Sequence, residues 1–192
     1  LTVNGNRLSG VNVSGCSALQ TLDCAFNAIK KLVINGCPSL TSVAAAQNGM
    51  EEFIIQTPVI SLKNIWAPFN SLASLDLANC PNLESLYVGG NSLESLNISA
   101  LSTLSVLDAS ENRLTGVNAS NHSKLLYLSL NSNRTLSSLN LAGCTNLGYL
   151  DVSQTALSGE LDLSAFTQLG VLRATDIELD SIKMSVTYND MP

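Results

Sequence analysis

Residues capable of acid–base or nucleophilic chemistry are few in this sequence, and they lie far apart. The one histidine, His122, would need an acid or a nucleophile at a fixed distance to act as a base, and no triad spacing surrounds it. Asp23, Asp108 and Asp151 are separated by non-acidic stretches, so they do not form the carboxylate pair that general acid–base work requires. Glu51-Glu52 reads as a solvated edge. Cys16, Cys24, Cys37, Cys80 and Cys144 are odd in number, and their spacings match no zinc pattern. Gly89-Gly90 falls where a strand would leave a sheet rather than in a phosphate-cradling loop. The expectation is a protein with no catalytic residue, no metal ligand and no cofactor.

Charge narrows the partners. Of 192 residues only 12% are charged, nine are Lys or Arg, and the net charge is −6. Binding to phosphate backbones or to an anionic membrane surface needs clustered cations, so neither nucleic acid nor membrane is expected as a partner. No apolar run reaches the length of about 18 residues that spans a bilayer, and no signal peptide is seen. The chain opens on Leu1-Thr2-Val3, part-way through a repeat, so the expectation is a fragment of a longer protein.

That repeat organises everything else. Leucine recurs at Leu19, Leu40, Leu62, Leu83, Leu104, Leu125, Leu147 and Leu169, in steps of 21 or 22 residues. The unit starting at each reads LxxLxLxxNxLxxLxLxxCxx, best seen in LESLYVGGNSLESLNISALST from 83 to 103. Its fourth position (Leu22, Val43, Ile65, Leu86, Leu107, Leu128, Leu150, Leu172) and its sixth (Cys24, Ala45, Ala67, Val88, Ala109, Leu130, Val152, Ala174) are apolar in every copy. Single extra residues fall before Leu62, Leu136 and Leu161, between core positions, where they can bulge outward. An LxL triplet puts two side chains on one face of a strand and the intervening one on the other. One coil cannot bury its apolar face alone, whereas stacked coils share a continuous core.

Each unit carries a second triplet as well, for example Leu32-Val33-Ile34, Leu75-Asp76-Leu77, Leu96-Asn97-Ile98 and Leu139-Asn140-Leu141. The reading is therefore a mostly β solenoid with two parallel sheets, one strand pair per coil, and little or no helix. The second triplet could instead be extended or 3₁₀. Residues 1–192 make one domain, with a partial coil over 1–18 and eight coils starting at 19, 40, 62, 83, 104, 125, 147 and 169.

The unit resembles the leucine-rich-repeat family, in particular its 21-residue bacterial subclass, called IRREKO, whose half-units look alike. The resemblance runs from Leu1 to about Met184. It implies a bacterial protein, with relatives in gut Bacteroides among others, placed at the cell surface or secreted. The sequence departs from the pattern where Thr155 and Ile177 replace Asn, and it ends without an evident capping motif.

Two regular columns look structural. Asn6, Asn27, Asn48, Asn70, Asn91, Asn112 and Asn133 recur once per coil, where an inward amide can satisfy backbone groups freed as the strand turns. The cysteines other than Cys24 share a position that elsewhere accepts Pro58, Leu101, His122 and Phe166, which suits buried reduced thiols acting as small hydrophobes. His122 in that column reads as a partly buried filler.

What remains is the outward face of the first triplet. The fifth-position column is Asp23, Ala44, Trp66, Tyr87, Asp108, Ser129, Asp151 and Arg173; the third is Thr21, Ser42, Asn64, Ser85, Val106, Tyr127, Tyr149 and Val171. With Phe69 from the eighth position, these place Trp66, Phe69 and Tyr87 on neighbouring coils, and Tyr127 beside Tyr149 further on. Aromatics supply large contact areas at low entropic cost and are enriched at binding hot spots. Trp66, Phe69, Tyr87, Asp108, Tyr127 and Tyr149 are thus the candidate binding residues on the expected concave surface. A protein partner leads, and a glycan stacked on the same rings is the alternative. A structural spacer without a ligand is the third reading, and Trp66 could instead be shielded by the Pro68-Phe69 loop or by flanking sequence outside this chain.

Overall fold

Each first-triplet strand starts one residue before its LxL triplet, so alternation buries its central residue and turns the residue on either side outward, and stacking does the rest. The computed structural model describes residues 1–184; residues 185–192 of the expected domain lie outside the described residues. In chain order its strands are β1 (Thr21–Asp23), β2 (Lys31–Ile34), β3 (Ser42–Ala44), β4 (Glu52–Ile55), β5 (Asn64–Trp66), β6 (Ser85–Tyr87), β7 (Val106–Asp108), β8 (Gly116–Asn118), β9 (Tyr127–Ser129), β10 (Ser138–Asn140), β11 (Tyr149–Asp151), β12 (Ser158–Leu163), β13 (Val171–Arg173) and β14 (Glu178–Met184). No helix occurs among the described residues.

The first triplets form one parallel sheet of eight strands in the order β1-β3-β5-β6-β7-β9-β11-β13. Each strand is in register with the corresponding residues of the next coil, as in Trp66 opposite Tyr87 and Tyr87 opposite Asp108. Their central residues, Leu22, Val43, Ile65, Leu86, Leu107, Leu128 and Leu150, lie in a single core with the leucines that open each unit. This is the expected leucine-rich-repeat solenoid.

The second side is built from the second triplets, and here the ladder is intermittent. β2 pairs with β4, β8 with β10 and β12 with β14, while Leu75-Asp76-Leu77 and Leu96-Asn97-Ile98 form no strand. Grooves open at the interruptions: between β4 and Ser74–Asp76, between Leu75–Ala78 and Asn97–Leu101, between Ser95–Asn97 and β8, and between β10 and β12. Coils held at ladder spacing on one side and standing apart on the other bend toward the first. The eight-stranded sheet is therefore the inner, concave side, and the broken ladder is the geometric consequence of that curvature.

The extra residue before Leu62 falls between Ile55 and Val59, where Gln56 and Pro58 are exposed while Ile55 and Val59 stay buried, so Val59 rather than Pro58 takes the position of the cysteines. Between β12 and β14 the register shifts at Gly159/Glu160, but the residue passed over is Asp180 on β14, so this bulge is not the extra residue before Leu161.

The asparagine column forms a ladder. Asn48 Nδ2 donates to the carbonyls of Cys24 in the preceding coil and of Ala45 and Ala46 in its own, and its Oδ1 accepts from Ile29 N–H at 3.1 Å. Asn91 repeats the pattern with Ala67, Val88 and Gly89 as acceptors and Leu72 N–H as donor. Where Thr155 stands in the column, its hydroxyl reaches only Val152 O of its own coil. No buried side-chain nitrogen or oxygen is left without a partner among the described residues.

Candidate binding face

The inner sheet presents its third- and fifth-position side chains in rows across the strands. Trp66, on β5, is 41% exposed and Phe69 53%, so the Pro68-Phe69 loop does not shield the indole. Tyr87 is half-buried in the next strand. Asp108 follows in register on β7, its Oδ1 accepting from Ser110 N–H at 3.1 Å and from Ser110 Oγ at 2.6 Å. Beyond it, the Tyr127 and Tyr149 rings stack with centroids 4.4 Å apart and planes 9° from parallel. The sequence-predicted residues thus form two groups, Trp66–Phe69–Tyr87 and Tyr127–Tyr149, with Asp108 on the strand between them.

Phe69 is held in an unusual way. The eighth residue of every coil has left-handed backbone, with φ of 55° at Phe26 and Phe69, 51° at Gln47 and Glu111, and 67° at Gly90. This residue turns the chain off the strand, and its N–H still donates along the stack, as from Phe69 to Gly89 O at 2.9 Å. Such backbone costs a residue with a Cβ about 1 kcal/mol or more. The Phe69 ring then lies against Gly90, where an added Cβ would stand 2.6 Å from its Cδ1. A phenylalanine placed in strained backbone and left exposed gains nothing for the core. Phe26 shares this geometry at 47% exposure, two coils earlier.

Three further features of this face escape sequence reasoning. Arg173 Cζ lies 5.9 Å from the centroid of Tyr149, extending the stack by a guanidinium. Asp151 is buried, its Oδ1 accepting from Ser153 N–H and its Oδ2 facing Tyr149 Oη at 3.4 Å. A polar chain runs from Ser129 through Asn131 and Ser132 to Gln154 and Asp176. Burial, with the neighbouring Tyr149 and the Asp108 carboxylate, raises the Tyr127 phenol above its ordinary value, keeping it neutral near pH 7.

Charge is distributed unevenly. Lys30, Lys31, Lys63 and Lys183 pair with Glu51, Glu52, Glu84 and Asp162, one coil further along or, for Lys183, one coil back. Glu51-Glu52 is exposed as expected, but each carboxylate meets a lysine. Asp108, Glu111, Asp151 and Asp176 form no ion pair among the described residues, and Arg173 is the one cation in the rows they share.

The other candidates are structural. His122 is buried rather than partly buried, with Nδ1 3.0 Å from Ala119 O and Nε2 3.0 Å from Ile98 O. It bridges two coils much as Cys144 does when its thiol donates to Ala119 O at 3.0 Å. Cys24, Cys37, Cys80 and Cys144 are buried and unbridged. Cys16 departs from the buried reading: it is exposed, because no described coil covers its outer side. Burial pushes Cys24 and Cys80 up to about 11, with Asp23 and Asp76 adding to it. The described residues contain no group of three or more His, Cys, Asp or Glu positioned to hold a metal ion.

The parallel coils, the leucine core and the asparagine ladder together define a leucine-rich-repeat solenoid. The family described as Leucine Rich Repeat matches residues 82–104. The chain is similar to YopM, a leucine-rich effector protein from Yersinia pestis, with 28% identity over 95% of this chain and 50% of that one, and a TM-score of 0.81. It shares its fold with the leucine-rich repeat domain of APL1B (20% identity, 93% and 54% covered, TM-score 0.76). It does so too with the internalin InlF from Listeria monocytogenes (18% identity, 95% and 59% covered, TM-score 0.67). The chain thus spans roughly half the length of the solved structures it matches. A comparison with curated proteins gives no match.

Proposed function

We propose that this chain is a non-catalytic recognition module that binds a protein partner on its inner face, through Trp66, Phe69, Tyr87, Asp108, Tyr127 and Tyr149. One observation carries the reading: Trp66 and Phe69 are both large, apolar and exposed at one end of this face, with the Phe69 ring lying against Gly90. Large exposed aromatic side chains on neighbouring coils are the surface feature that favours a partner site. The two aromatic groups span β5 to β11, four strand spacings or about 19 Å, the reach of a segment of about six extended residues. The likeness to a bacterial effector supports an exported or surface-displayed bacterial protein, and the 21-residue unit supports the IRREKO subclass.

Selection from a random peptide library on the parent protein tests this, with Trp66→Ala plus Tyr87→Ala as the counter-screen. Enrichment of peptides that bind the parent and not the double variant is expected. Peptides that bind both proteins equally would remove the aromatic face from the account.

A further inference from the structure

Resting on that reading, we infer that the partner segment is cationic: an extended, arginine-bearing stretch of protein laid across the inner face, with a guanidinium seated between Tyr87, Asp108 and Tyr127.

The structure holds an internal example of the stacking part of this contact, without the ion pair. Arg173 lies over Tyr149 in a stack that continues to Tyr127, and Arg173 is the register partner of Asp151. One end of the tyrosine stack is therefore taken by the chain's own guanidinium. The other end faces β7, where Val106 is the register partner of Tyr127 and Asp108 lies in the fifth-position row beside it. Asp108 has one oxygen fixed by Ser110, while its Oδ2 has no hydrogen-bond partner among the described residues. The next strand brings Tyr87 into register with Asp108. A carboxylate with one free oxygen, flanked by tyrosine rings, is the setting in which a guanidinium both stacks and accepts an ion pair.

The charge balance agrees. Arg173 is the one cation in the third-, fifth- and eighth-position rows, while Glu111, Asp151 and Asp176 add negative charge to the same rows as Asp108. An acidic segment would meet uncompensated repulsion here, and a neutral one would leave Asp108 unpaired. Arginine fits better than lysine because the face offers flat rings, against which a planar cation retains its fork of donors.

The test uses blocked heptapeptides of alternating glycine and arginine, and the same peptides with citrulline, a neutral near-isostere of arginine. Binding is read by the fluorescence of Trp66, the only tryptophan. Saturable binding of the arginine peptide is expected, about tenfold tighter than the citrulline peptide and weakened by salt at about 0.5 M. Asp108→Asn should lose most of that preference while leaving the melting curve in place. Equal binding of the two peptides would overturn the cationic partner yet leave the aromatic face as a binding site. Binding of neither, while the library selection yields aromatic-dependent peptides, would also overturn this inference alone; an empty selection would overturn both.

Discussion

The ring of Phe69 lies against Gly90 of the next coil so closely that a Cβ added at Gly90 would come 2.6 Å from Phe69 Cδ1 and 3.0 Å from Cε1. Gly90 itself has φ of 67°, so a side chain there meets both the ring and strained backbone. Gly90→Ala should therefore lower stability by about 1–2 kcal/mol and displace the ring. Chemical denaturation reads the first effect. Affinity for peptides selected on the parent reads the second, and it should fall even where the protein remains fully folded. Unchanged stability and affinity would mean that the glycine does not set the position of Phe69.

The asparagine ladder makes a prediction of its own. Asn91 satisfies three carbonyls and one N–H across two coils. Asn91→Ala leaves those groups buried and unpaired, so it should destabilise by about 1–3 kcal/mol. A melt indistinguishable from the parent's would contradict the ladder's role.

His122 should be replaceable by the residue that fills its column elsewhere. Its ring bridges Ala119 O and Ile98 O, and Cys144 makes a comparable thiol contact to Ala119 O. His122→Ala is expected to cost about 2 kcal/mol, and His122→Cys distinctly less. Urea unfolding of the two variants decides it; an equal loss in both would show that the donors at this position do not matter.

The thiols give a pH dependence. Cys24 and Cys80 titrate near 11 in the folded chain, above the ordinary value of 9.0, because burial disfavours the thiolate. A raised value in the folded state means stability is complete below pH 9 and lost as pH rises toward 11, where the unfolded chain releases protons first. Thiol alkylation at pH 8 should modify exposed Cys16 and spare the buried four. Rapid labelling of all five under native conditions would contradict the packing.

How much of this could be read from the sequence depends on whether a feature belongs to one residue type or to the assembly. Strand alternation fixed the core positions and the outward rows, so Trp66, Tyr87, Asp108, Tyr127 and Tyr149 fall on the face where they were expected. The left-handed eighth position gave no signal, because only Gly90 is a glycine there, while Phe26, Gln47, Phe69, Glu111, Ser132, Gln154 and Asp176 fill it elsewhere. The Tyr149–Arg173 contact was hidden because it joins two different columns, and which side chains meet across columns is set by rotamers. The interrupted second side was hidden for another reason. Leu75-Asp76-Leu77 has the same triplet pattern as the paired strands, and curvature is a property of the whole stack.

The central claim, that the inner face is the binding surface, is tested most directly by hydroxyl-radical footprinting of the parent bound to peptides selected on it. Protection is predicted at Trp66, Phe69, Tyr87, Tyr127 and Tyr149, with Ile60, which is exposed away from this face, oxidised at its free rate. Unchanged oxidation of those five rings, with protection instead around Leu141, Leu161 and Phe166 in the groove between β10 and β12, would contradict it.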